Sequence, residues 1–226
     1  MAELPEPSVE RLLQLTRVLE NIQADTVTSA EIEARTGWSS HTIRKDISYL
    51  RGELSSGAGY DVVALKAAIN TALGLDAGRK CCVVGLGRLG SAYLNFPALA
   101  DEGFQLVAGF DSSVNRVEIL KSPVPLYPAY KMGEVVSRFG IEVALLCVPA
   151  AAAQATAEKL VAAGILGIVN FASVALQLPA QITVRNVNVV DEMRAVAARI
   201  TFSQRVAAAA APKGPGAESD AAPEKK

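Results

Sequence analysis

Residues 79–111 read RKCCVVGLGRLGSAYLNFPALADEGFQLVAGFD. The apolar run Cys81-Cys82-Val83-Val84 is short, β-compatible and stopped by a glycine, which is the pattern of a buried parallel strand. Gly85, Gly87 and Gly90 follow with the G-x-G-x-x-G spacing as the strand turns into a helix. That geometry uses each glycine differently: the first permits the tight turn, the second lets backbone approach a pyrophosphate, and the third lets the helix pack on the strand. Arg88 and Leu89 stand where the helix opens, and the N–H groups of a helix start attract an anion. A second apolar strand over 104–110 ends at Asp111, about 20 residues past the last glycine, where a carboxylate accepts hydrogen bonds from a ribose diol. The same carboxylate repels a ribose phosphate. The stretch therefore predicts a dinucleotide site that takes NADH or NAD in preference to their phosphorylated forms.

The rhythm continues C-terminally. Helices are expected over 91–101, 131–139 and 150–163, strands over 141–149, 165–171 and 182–187, and a short edge segment over 124–127. Strands alternating with helices imply an α/β, Rossmann-type doubly wound parallel sheet. Ligands of such sheets sit at the carboxyl ends of the strands, which adds Val148, Pro149, Asn170 and Phe171 to the expected cofactor cleft. A helix over 191–206 carries Met193, Val196, Ala197, Ile200 and Phe202 toward one side and arrives after the sheet is complete, so it has no place within it. Residues 207–226 are alanine, proline, glycine and charge, a low-complexity tail expected to be disordered.

Before the glycines, residues 1–78 read as a separate small domain. Val9, Leu12, Leu13, Thr16, Leu19 and Ile22 recur at helical spacing. Thr28 or Ser29 then caps a short helix that stops at Gly37, and Ser39 or Ser40 caps a third, with Ile43, Ile47 and Leu50 as its buried stripe. Two short helices about a tight turn make a helix-turn-helix. The third helix presents Ser40, His41, Thr42, Arg44, Lys45 and Ser48 on its other side, donors and cations suited to base edges and phosphates of a major groove. The glycine-rich segment 51–62, with Tyr60, reads as the wing of a winged helix. Its tip holds Ser55, Ser56 and Ala58 where Lys or Arg would grip phosphate, which predicts a shallow salt dependence of DNA binding. Residues 1–78 contain seven Lys or Arg against eleven Asp or Glu, so any basic footprint is local. The expected organisation is thus a DNA-binding domain over 1–78, a nucleotide domain over 79–190, a separate C-terminal helix over 191–206, to which the resemblance described below gives a dimerisation role, and a tail over 207–226.

Half of the 226 residues are hydrophobic, a fifth are charged and the formal net charge is −1, an ordinary composition for a globular chain with a sizeable core. Cys81, Cys82 and Cys147 all lie in apolar runs and are expected to be buried reduced thiols of a cytoplasmic protein. No signal peptide, membrane span or metal-ligand spacing is expected. A dehydrogenase needs a proton donor or acceptor beside the nicotinamide and a substrate domain. The single histidine, His41, lies on the third helix, and little chain remains after the sheet. These features point away from an enzyme; a small NAD-dependent oxidoreductase and a protein using its nucleotide structurally are the alternatives.

The chain closely resembles the Rex family of redox-sensing transcriptional repressors. The resemblance rests on the helix-turn-helix run Ile43-Arg44-Lys45-Asp46-Ile47-Ser48-Tyr49, the wing Gly57-Ala58-Gly59-Tyr60-Asp61-Val62, the glycine motif with Leu94-Asn95-Phe96-Pro97, then Gly109-Phe110-Asp111, Val148-Pro149-Ala150, Asn170-Phe171-Ala172 and Val184-Arg185-Asn186-Val187. It implies a homodimer in which each C-terminal helix is swapped into the partner subunit. It also implies that NADH closes the dimer and releases a palindromic, A·T-rich operator, whereas NAD supports DNA binding. By resemblance, Arg17 with positions 96 and 188 forms the switch that tells the cofactor's redox states apart. Many family members carry tyrosine and aspartate where this chain has Phe96 and Asn188. A neutral partner for Arg17 alters a charge-assisted contact, which gives weakened NADH/NAD discrimination as the alternative expectation.

Overall fold

The computed structural model describes residues 4–52, 54–56 and 59–210. The expected wing tip at Gly57-Ala58 and the expected tail beyond Ala210 lie outside the described residues.

Helix α1 (Glu6–Glu20) starts on Pro5 and Pro7, whose fixed φ suits a first turn that needs no N–H donor. Its inward face is Ser8, Leu12, Leu15 and Leu19. This corrects the expected stripe: Leu13 is 41% exposed, because a residue next to Leu12 is rotated by about 100° around the helix. Strand β1 (Thr26–Val27) leads into α2 (Ser29–Thr36). Thr28 closes a capping box there, its hydroxyl accepting from the Glu31 N–H and its own N–H donating to the Glu31 carboxylate at 2.7 Å. Gly37 ends α2 at φ 75°, a conformation that favours glycine. Trp38 follows, half-buried against the domain core, and Ser39 caps α3 (Ser40–Ile47). Strands β2 (Ser55–Ser56) and β3 (Gly59–Asp61) form the antiparallel wing, and β3 pairs with β1 to give the order β1-β3-β2. Helix α4 (Val62–Leu73), capped by Asp61 and ended by Gly74, closes this domain over Leu65 and Ile69, both fully buried.

Thr28→Ala is expected to lower the stability of this domain by about 1 kcal/mol, since it removes an N-cap acceptor and half of a reciprocal cap. Thermal unfolding of the two proteins checks it, and an unchanged melting temperature would show that the cap adds nothing to the fold.

The second domain runs β4 (Arg79–Val84), α5 (Arg88–Leu94), α6 (Ala98–Asp101), β5 (Phe104–Asp111), α7 (Val114–Ile119), β6 (Leu126–Pro128), α8 (Met132–Phe139), β7 (Val143–Leu146), α9 (Ala150–Ala162), β8 (Gly167–Asn170) and β9 (Thr183–Asn186). All six strands are parallel in the order β6-β5-β4-β7-β8-β9, so the chain reverses direction across the sheet beside β4. Cys82, Val84, Phe110, Leu146 and Ile168 pack under α8 and α9, while Cys81, Val83 and Leu145 pack with Leu86 and Leu94 on the opposite face. Adjacent cysteines thus belong to different layers, as strand alternation requires.

Three elements differ from the sequence expectation. The single helix expected over 91–101 is two pieces, because Pro97 lacks an N–H and pushes Phe96 out of helical conformation. Helix α7, capped by Ser113, was not expected. The terminal helix, α10 (Val189–Ala210), extends four residues into the stretch expected to be tail, since a run of alanines is the best of helix formers.

No described helix joins β8 to β9, so part of one sheet face is left open as a groove of about 400 Å³ along Val143, Ile168, Val169 and Thr183. Helix α10 buries none of its large apolar side chains: Met193, Val196, Ile200 and Phe202 are all more than half exposed.

Candidate functional site

The loop after β4 has the form that its glycines predict. Gly85 sits at φ 91° and donates its N–H to the Phe110 carbonyl at 2.8 Å, tying the turn to β5. A Cβ on Gly90 would lie 1.8 Å from the Gly85 carbonyl oxygen, so only glycine lets α5 approach the strand this closely. At Gly87 a Cβ would meet nothing within 4 Å, which leaves the backbone open for a ligand. Arg88 and Leu89 form the exposed first turn of α5.

Asp111 ends β5 and is only 4% exposed. Its carboxylate accepts from the Leu86 N–H at 2.7 Å, the Ser113 N–H at 2.8 Å and the Arg116 guanidinium at 3.0 Å. Burial pushes this carboxyl up, but the bonds from Ser113, Leu86 and Arg116 outweigh it and hold it below the usual carboxylate range. The acid therefore braces the glycine loop. Oδ1 accepts only from Ser113, whereas Oδ2 takes both Leu86 and Arg116, and Arg116, half-exposed, is the partner free to swing away.

The carboxyl ends of β7 and β8 complete the cleft. Val148 reaches within 2.9 Å of where a Gly85 Cβ would be, and Pro149 caps α9. Asn170 is fully buried, donating to the Val174 carbonyl and the Asn186 side chain at 2.8 Å each and accepting from the Ala172 N–H at 3.0 Å. It fastens the loop at the cleft edge, with its side chain occupied by protein. Phe171 stacks obliquely on Tyr93 at 5.1 Å between ring centroids, and Tyr93 meets Phe96 edge-on at 5.9 Å. Burial pushes the Cys81 and Cys147 thiols up to about 11, and that of Cys82 further still. At neutral pH all three are protonated and weakly nucleophilic. Among the described residues no group of His, Cys, Asp or Glu could hold a metal, and no helix is long and apolar enough to cross a membrane.

Phe96 also faces a groove of about 830 Å³ between the two domains, whose other walls include Leu13, Arg17, Leu99, Phe104 and Arg185. Arg17 and Phe96 thus line the same cavity, and the Arg17 guanidinium has no acceptor among the described residues. Asn188 lies apart from that groove, its side chain accepting from the Val190 N–H at 3.0 Å at the start of α10. Across the groove, Arg185 of β9 pairs with Glu10 of α1 at 2.9 Å.

On α3, the side chains of His41, Arg44, Lys45 and Ser48 are exposed, and Ser40 and Thr42 partly so. Ile43 and Ile47 face inward as expected. Tyr60 of β3 is half-buried on the wing. Two features here were not foreseen. Asp46 is buried beneath the helix and takes a two-pronged contact from Arg11 of α1, at 2.6 and 2.8 Å. Its signal was available: three residues after Ile43 it falls on the apolar stripe, where an acid needs a cation. Glu33 of α2, meanwhile, reaches the first residue of α3. Nothing in its spacing announced that contact, which depends on the turn angle.

A winged helix-turn-helix joined to a six-stranded sheet with a glycine-loop cleft defines a two-domain class that couples a DNA-binding module to a nucleotide-type domain. A family profile described as "Putative DNA-binding protein N-terminus" matches residues 3–48, and one described as "CoA binding domain" matches residues 76–174. The chain belongs to the Rex family of redox-sensing transcriptional repressors. It is 35% identical to the redox-sensing transcriptional repressor Rex of Carboxydothermus hydrogenoformans, over 82% of this chain and 91% of the relative. Against Rex of Thermus aquaticus the identity is 37%, over 82% and 89% of the two chains. The solved structure of RSP in complex with beta-NAD+ and operator DNA is similar at a TM-score of 0.82 and 28% identity, covering 91% of this chain and 96% of that one. RSP in complex with beta-NADH aligns at a TM-score of 0.81 and 27% identity, over 91% and 98%.

Proposed function

We propose that this protein is a cytoplasmic, dimeric transcriptional repressor that grips operator DNA through α3 and lets go when NADH binds the cleft at Gly85, Gly87 and Gly90. The observation that carries this reading is one chain that holds both a capped helix-turn-helix and an open glycine-loop cleft, with a groove between the two domains lined by Arg17 and Phe96. Solved relatives of the same two-domain form hold NAD+ with operator DNA in one structure and NADH in another.

In this reading Ser40, His41, Thr42, Arg44, Lys45 and Ser48 face the major groove and Tyr60 the backbone beside it. The dinucleotide places its pyrophosphate over Gly87, Arg88, Leu89 and Gly90 and its adenine ribose beside Asp111, with Val148, Pro149, Asn170 and Phe171 bordering the rest. Helix α10 of a second copy supplies the apolar surface that covers the interdomain groove: its Met193, Val196 and Ile200 are exposed, as are apolar walls of the groove such as Leu13 and Phe96. Such a swap would bring the partner's α10 start, with its Asn188 position, toward Arg17. The relatives' names as redox sensors favour a working switch over weakened discrimination. Their names as repressors favour regulation over an oxidoreductase.

Binding to a palindromic A·T-rich duplex is the test. Affinity is expected to fall at least tenfold, about 1.4 kcal/mol, in saturating NADH and to hold in NAD. Equal response to the two nucleotides would refute the switch, and absence of DNA binding in any state would refute the repressor reading.

A further inference from the structure

The Glu33 carboxylate accepts hydrogen bonds from the Ser40 backbone N–H at 3.0 Å and from the Ser40 hydroxyl. Those two bonds hold its carboxyl below the usual range, and the nearby Arg44 charge acts in the same direction, so Glu33 is an anion at neutral pH. Arg44 itself extends back to α2, donating to the Ser29 hydroxyl at 3.2 Å. The N–H of a helix start, a hydroxyl and a guanidinium are the groups with which DNA-binding proteins hold backbone phosphates. In this chain an internal carboxylate already sits on two of them and beside the third.

We infer that Glu33 is an intramolecular competitor for a DNA backbone phosphate and sets an upper limit on operator affinity. The inference rests on the DNA-binding reading above. When the duplex docks, Glu33 must either leave Ser40 or stay and face a phosphate of like charge, and both weaken the complex. The domain as a whole has four more acidic than basic residues over 1–78, so no general positive field offsets an anion placed within the recognition face. A restrained affinity also keeps the free energy of DNA binding small enough for a bound nucleotide to overturn it.

The full chain, Glu33→Gln and Glu33→Ala are compared by fluorescence anisotropy on a palindromic A·T-rich duplex and on a scrambled duplex, across a salt series. Glutamine keeps an oxygen acceptor for Ser40 and so preserves the turn while removing the charge; thermal melts confirm that each variant is folded. Both variants are expected to bind both duplexes roughly tenfold more tightly at low salt, with a salt slope steeper by up to about one. The preference between duplexes should not move, because phosphate contacts carry no sequence information. Unchanged or weaker binding by folded Glu33→Gln overturns the inference and leaves Glu33 as a tie between two helices. Weakening confined to the palindrome also overturns it, since that would make Glu33 a reader of a cytosine amino group. If wild type and both variants bind neither duplex, the DNA-binding reading falls and this inference with it.

Discussion

Gly90→Ala is expected to weaken NADH and NAD binding on the order of 100-fold, equivalent to about 2.7 kcal/mol, and to lower the melting temperature of the nucleotide domain as well. The added methyl would stand 1.8 Å from the Gly85 carbonyl oxygen and 3.2 Å from Val83 Cγ1. The first of these is backbone in the loop that defines the cleft, so α5 must move off the strand and carry its N-terminal N–H groups away from the pyrophosphate position. Gly87→Ala is the informative contrast. Its methyl meets nothing within 4 Å and its φ of −69° suits any residue, so the fold should be untouched while the ligand loses its close approach to backbone. Isothermal titration with both nucleotides, beside thermal melts, separates the two. Full affinity in Gly87→Ala would mean that the dinucleotide does not cross this residue.

Asp46→Ala is expected to cost about 3 kcal/mol of stability in the DNA-binding domain, because it strands a partly buried guanidinium whose one anionic partner among the described residues is that carboxylate. Burial pushes the Asp46 carboxyl up, but the bonds from Arg11 and the Ser8 hydroxyl prevail and leave it below the ordinary value. A carboxylate with a depressed folded-state value contributes stability that is complete above the unfolded pKa of about 4 and disappears as pH falls through the folded value. Urea unfolding of wild type should therefore weaken on acidification below about pH 4, and the Asp46→Ala variant should lose that component. Glu20→Ala breaks the exposed Glu20–Lys66 pair and should cost under about 1 kcal/mol. Equal effects from Asp46 and Glu20 would show that the buried pair has no special weight.

Much of this architecture could be read before any coordinates. Alternation of apolar runs and helices gave the sheet, and the three glycines with Asp111 gave the cleft, because in both cases a short-range pattern carries the geometry. What could not be read shares a cause: contacts set by distant parts of the chain. Leu15, not Leu13, is buried because α4 and α3 decide which side of α1 faces inward. Asn170 is spent on Val174, Ala172 and Asn186, a loop whose path no local pattern encodes. Arg11 meets Asp46 across 35 residues, and Tyr93 of α5 meets Phe171, just past β8, far away in the chain.

The chain contains one tryptophan, Trp38, held between α2 and α3 against the core of the DNA-binding domain. Its emission therefore reports that domain alone, with no background from the sheet. Reduced nicotinamide absorbs in the range where indole emits, and oxidised nicotinamide does not. Excitation transfer from Trp38 to a bound NADH would follow the distance between recognition module and cleft as the two move, in unlabelled protein. NAD in the same cleft would leave the indole bright, so the molecule has its own optical gauge of which cofactor it holds.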